Sequence, residues 1–236
     1  MEEKTKSVWV YIGIGCAILA ALGIIVVAGV TYMGYRAIRN VRQDMLDPVR
    51  RTEKVKTILG CTDLPEGYHA AMSLSVPFLL DMAMLSDIEP KFGEGGKHDE
   101  LFGQRGFIYV KTLRARNEKD FDDYLEGRKD ISEMMRPGEV TLQSGKTIGH
   151  GDLEAGGATV KYIAHEGSIR VHLQERKGLV SIMNMRCPGD AKFRMGIWFG
   201  PEVAAPEGDA TANYSGTPAD PEAIKSFLSH FNPCQP

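Results

Sequence analysis

Between Val8 and Tyr35 the chain reads VWVYIGIGCAILAALGIIVVAGVTYMGY, without one charged side chain. About 18 such residues suffice to cross the roughly 30 Å hydrocarbon core as a helix. A helix is required there because lipid offers backbone N–H and C=O groups no partner. Trp9 and Tyr11 near one end, and Tyr32 and Tyr35 at the other, match interfacial aromatic belts. The run therefore predicts a single-pass anchor in the plasma (inner) membrane, with the lipid bilayer as its first partner. A cleaved signal peptide has an apolar region of only about 7–15 residues, followed by a small-x-small cleavage site. This run is longer and passes directly into Arg36, Arg39 and Arg42, as a retained anchor does.

Gly13, Ala17 and Ala21 fall at four-residue spacing on one face of that helix. A stripe of small residues lets two membrane helices approach closely, so a homodimer through this face is one reading. The other is that small residues are common in such helices. Cys16, inside the span, reads as a small packing residue rather than an acylation site. Lys4 and Lys6 precede the run, whereas Arg36, Arg39, Arg42, Arg50 and Arg51 follow it. By the positive-inside rule this places the soluble part in the cytoplasm. The cysteines point the other way, so the side stays open at this stage.

With 236 residues the chain has room for an anchor and one ordinary domain with a real core. The expected organisation is a short polar tail (1–7), the transmembrane helix (8–35), a charged helical stalk (36–60) and a soluble domain (61–236). In the stalk, Asp47-Pro48 reads as a helix restart, since Asp caps free N–H groups and proline suits the first turn. Gly60 reads as its end. The basic residues of this stretch suit either anionic head groups or a solvated face.

Leu64-Pro65-Glu66-Gly67-Tyr68 predicts a turn that enters a strand. Apolar alternation then predicts strands over 69–75, 78–85, 106–113, 139–143, 158–165, 168–174, 179–186 and 193–199. Glu166-Gly167 reads as a tight connection between two of them. Helices are predicted over 117–128, with a further short turn at 130–135, and after Asp220-Pro221. There Ile224, Phe227, Leu228 and Phe231 follow helical spacing. A Pro/Gly/Ala-rich loop fills 201–219. The fold class is α+β: an antiparallel sheet with packed helices.

This order of elements, entered through LPEGY and closed by an amphipathic helix, resembles the PsbP-type α+β sandwich. The resemblance covers roughly Cys61 to Cys234 and implies a binding or assembly-accessory role with a protein partner. The segments LPEGYHA, CPGD and SHFNPC also resemble a family of uncharacterised membrane-anchored myxobacterial proteins. That likeness implies no catalytic residues.

Four cysteines are present. A Cys187–Cys234 disulfide would pin the last helix to the sheet, and Cys61–Cys234 is the rival pairing. A cytoplasmic domain would instead keep thiols. The histidines are His69, His98, His150, His165, His172 and His230. His98-Asp99-Glu100 and His150-Gly151-Asp152 are polar clusters, and His165 and His172 are expected on neighbouring strands. No HExxH or paired CxxC spacing assembles a metal set. Gly93-Glu94-Gly95-Gly96-Lys97 lacks the following helix that a phosphate cradle needs. No GxSxG nucleophile elbow occurs. Asp122, Asp123 and Glu126 read as a solvated helix face, and Trp198 and Phe199 as core or groove residues. No cofactor is implied. A formal net charge of −3 gives no basic surface for nucleic acid. The reading is a membrane-tethered binding or assembly-accessory domain, with a hydrolase or metal-dependent enzyme as the alternative.

Overall fold

The computed structural model describes residues 46–92, 98–113, 118–129, 140–171, 174–203 and 212–235, within one compact unit, Asp44–Pro236. The expected anchor, its Gly13–Ala17–Ala21 face and the stalk up to residue 45 lie outside them. No helix among the described residues is long and apolar enough to cross a membrane.

The chain enters through helix α1 (Pro48–Leu59), capped by Asp47, whose side chain accepts from the N–H groups of Val49 and Arg50. Gly60 ends the helix in the left-handed conformation, φ 67°. A Cβ there would also lie 2.4 Å from the Asn232 carbonyl, so glycine is required twice over. α1 is not a solvated stalk. Arg51, Val55 and Leu59 are buried, and Arg51 Nε donates to the Ala70 carbonyl at 2.7 Å. The folded unit thus begins before Cys61, the boundary that the charge pattern predicts.

Strands β1 (His69–Val76), β2 (Leu80–Ser86), β5 (Gly106–Thr112), β6 (Val140–Ala155), β7 (Ala158–Val171), β8 (Gln174–Arg186) and β9 (Phe193–Gly200) form one sheet. Its order is β1-β2-β5-β9-β8-β7-β6, and every pair is antiparallel. A two-stranded ribbon, β3 (Lys91–Phe92) and β4 (His98–Glu100), stands apart. α2 (Glu118–Leu125) carries the chain from β5 to the far edge strand β6. After β9, α3 (Pro221–Leu228) starts on an Asp220 cap.

Helices cover both faces. On one, Val55 and Leu59 of α1 and Ile224, Phe227 and Leu228 of α3 pack with Phe107, Met183 and Trp198 of the sheet. On the other, Phe121, Tyr124 and Leu125 of α2 pack with Ile108, Ile182 and Phe199. Trp198 and Phe199 therefore lie in separate cores, as period-2 alternation demands. Each fully buried Leu or Phe contributes roughly 1.5–3 kcal/mol.

The largest departures from the expected strands lie in β7 and β6. β7 runs unbroken through Glu166-Gly167, because Gly167 pairs with Ser144 on one side and Gly178 on the other. No hairpin follows His165 at Glu166-Gly167, and His172, its expected neighbour, lies outside the described residues. β6 extends from the expected 139–143 to Ala155, where Gly156-Gly157, both with positive φ, turns tightly into β7.

Candidate functional site

The β1–β2 hairpin turns through Pro77, Phe78 and Leu79. The Leu79 N–H donates to the Val76 carbonyl at 3.0 Å, and Phe78, third in the turn, has φ 65°. Proline second and a positive φ third is the pattern of a type II turn, which normally places Gly or Asn at that third position. Among the described residues Phe78 alone has a positive φ without being glycine. The left-handed region costs an ordinary residue roughly 1–2 kcal/mol. Burial does not offset that cost, since Phe78 is 89% and Leu79 63% exposed.

Neighbouring elements build a surface around this turn. Thr112, the last residue of β5, pairs with Leu80, and Leu113 just beyond is 55% exposed. Lys192, between β8 and β9, joins Val76, Phe78, Leu79 and Leu113 around a shallow groove of about 270 Å³. Asp81 and Lys111 in its wall form an ion pair at 3.1 Å. Asp81 also accepts from the Ser75 hydroxyl at 2.6 Å. The groove is lined by neither histidine nor cysteine. It can receive an apolar group with an adjacent negative charge.

The loop beside it is cross-linked to the body of the domain. Cys187 is bonded to Cys234. Cys61 is a free, half-buried thiol whose pKa burial pushes up. Fully buried Arg194 donates to the carbonyls of Pro233 at 2.8 Å and Lys192 at 3.1 Å, and to Asp190 Oδ2. The Arg194 guanidinium holds the Asp190 carboxyl below its ordinary range. Nearby, the Tyr109 hydroxyl is buried without a hydrogen-bond partner. Burial pushes its pKa up to about 12, with Arg194 pulling the other way.

The remaining candidates serve the fold. His165 is buried, its Nε2 2.8 Å from the Tyr124 hydroxyl and its Nδ1 3.2 Å from Thr147 Oγ1, which links α2 to β7 and β6. His69, His150 and His230 are exposed. Of His98, Asp99 and Glu100, only the strand β4 is described. Asp122 accepts from Arg186 and Asn184, and Glu126 pairs with Lys161 at 2.6 Å, so these carboxylates hold α2 on the sheet. Asp123 pairs with Arg128. Trp198 stacks on Phe227 with centroids 4.5 Å apart and donates to the Tyr68 hydroxyl at 2.8 Å. Among the described residues no group of three or more His, Cys, Asp or Glu side chains is placed to hold a metal.

Sequence reasoning missed Phe78, assigning it to a strand. The available signal was Pro77 within an otherwise apolar run, which marks a turn even without a following glycine. No protein family, curated protein or solved structure matches the chain.

Proposed function

We propose that this protein is a membrane-tethered binding or assembly-accessory module whose contact surface is the Pro77–Leu79 tip. The N-terminal apolar run supplies the tether in this reading, and the element order resembling PsbP-type domains agrees with a binding role. One observation carries it: Phe78 sits in a backbone conformation unfavourable for phenylalanine and leaves its ring in water. Strain without an internal return accompanies functional positions, because the compensating interaction lies outside the chain.

Photo-crosslinking in intact cells tests the reading. A diazirine amino acid replacing Phe78 in the full chain is expected to give adducts that the same group at exposed Glu222, on α3, does not give. Equal labelling at the two positions, or none at 78, would remove the tip as the contact surface.

A further inference from the structure

We infer that the tip inserts into the interface of an anionic lipid bilayer, a proposal that rests on the tip being the contact surface. Three observations select lipid over a protein groove or a second copy. First, the most exposed part is a protruding turn. Phe78 and Leu79 lead it, and Leu113 stands on the adjacent strand end, so large apolar side chains stand in solvent at the rim of a shallow, open groove rather than around a deep socket. Interfacial anchors bury such residues shallowly at the boundary of head groups and acyl chains.

Second, the turn offers a single free backbone donor. Proline has no N–H, and that of Leu79 is already bonded to Val76. Only the Phe78 N–H lacks a partner among the described residues of this turn. Each free polar group adds to the cost of leaving water, and one N–H can be met by head-group oxygens at the shallow depth of an interfacial anchor, whereas a protein partner would more readily exploit several free donors.

Third, the local charge is positive on a chain whose formal net charge is −3. Lys111 is matched by Asp81. Asp190 is paired with Arg194 and also feels Lys192, so Lys111, Lys192 and Arg194 against Asp81 and Asp190 leave one surplus positive charge beside the apolar tip. Lysines at that depth attract the negative surface of anionic leaflets.

The test uses the full chain, with F78W in a Trp9→Phe background and the Trp9→Phe protein alone as blank. The remaining Trp198 is held in the core. Protein reconstituted in phosphatidylcholine vesicles, with or without about 30 mol% phosphatidylglycerol, is quenched by brominated lipid, both in its own bilayer and in vesicles added outside. We expect about twofold quenching of the F78W signal where phosphatidylglycerol is present, at least halved by Lys192→Glu and lost in Leu79→Glu. No quenching in either arrangement would overturn insertion. Equal quenching in neutral vesicles, unmoved by Lys192→Glu, would overturn the anionic requirement. The diazirine experiment separates the two levels of failure. A protein adduct at 78, including one of twice the chain mass from a second copy, overturns the lipid proposal while preserving the tip as contact surface. No adduct and no quenching would overturn both.

Discussion

Two turns leave the same end of the sheet, and they are built on opposite principles. The β8–β9 turn, Cys187 to Lys192, is held at every step. Its cysteine is bonded to Cys234, and the Asp190 N–H donates to the Cys187 carbonyl. The Asp190 carboxylate accepts from the Lys192 N–H and pairs with buried Arg194. The β1–β2 turn beside it has one internal hydrogen bond and exposes its two largest side chains. In the first, polar groups spend their bonding capacity inward and fix the C-terminal segment. In the second, apolar surface is left unspent. On the proposed reading, rigidity and recognition are thus separated between adjacent loops, and each should be alterable without the other.

The largest break in that arrangement is chemical. Reducing the Cys187–Cys234 bond, which closes 47 residues, or replacing Cys187 by Ser, is expected to cost about 4 kcal/mol in the chain-entropy model. Denaturant unfolding with and without reductant measures it. Quenching of the F78W signal should survive wherever the domain stays folded. Coupled loss of stability and tip contact would show that the two turns are not independent.

Next comes Arg194→Met, which keeps the buried volume but strands the Pro233 and Lys192 carbonyls and leaves Asp190 without its cation. A loss of about 2–4 kcal/mol is expected by chemical denaturation. Asp190→Asn should cost less, since that carboxylate reaches solvent, and its main effect is on pH dependence. The folded pKa of Asp190 is lowered, first by its hydrogen bond with Arg194. Its contribution is therefore complete above about pH 5, where an ordinary aspartate of pKa about 3.9 is ionised. It is lost as pH falls through the depressed folded value. Unfolding midpoints followed from pH 6 downward should fall less steeply in Asp190→Asn than in the parent. Parallel curves would assign the acid sensitivity to Asp123, Glu126 and Glu175, which are also depressed, each by a hydrogen bond from a cationic partner.

The two turns were also unequally legible in the sequence. Local rules located α3, because Asp220-Pro221 and the Ile224–Phe227–Leu228 spacing need no distant partner. The same holds for the Asp47 and Gly60 caps of α1. What local rules cannot reveal is the tertiary use of a charged residue. The arginines of α1 suggested a solvated stalk, yet Arg51 is buried against the Ala70 carbonyl, 19 positions away. Gly167 suggested a turn, but pairing on both sides keeps β7 straight. The placement of Cys187 and Cys234 at the ends of elements makes them one of two rival pairings in the sequence, and the packing brings that pair together. Phe78 was hidden for the converse reason. Its residue type says strand while its torsion, and Pro77 before it, say turn, so the feature marking the candidate site is a disagreement between residue and backbone.

Phe78→Gly gives the smallest effect on stability and separates these causes most cleanly. Glycine relieves the left-handed cost of roughly 1–2 kcal/mol, while its freer unfolded chain gives back about 0.4–1 kcal/mol. Net stabilisation of about 0.5–1 kcal/mol is expected, because the lost ring was 89% exposed and contributed little burial. Phe78→Ala retains the strain and removes the same ring, so it should leave the unfolding midpoint nearly unchanged. Phe78→Asn, tolerant of the left-handed region without glycine's entropy, should stabilise as much or more. All three should lose contact at the tip, read as protection of a Leu79→Cys thiol from a water-soluble reagent when anionic vesicles are added to the Cys16→Ser, Cys61→Ser chain. If Phe78→Gly destabilised the domain, the ring would be making an internal contact, and the case for an external one would lose its physical basis. If it stabilised the domain and kept the protection, Phe78 would be strained without serving contact, and recognition would have to rest on Leu113 and the surface around it. A gain in stability with loss of protection is the signature of a residue retained for what it touches outside the fold.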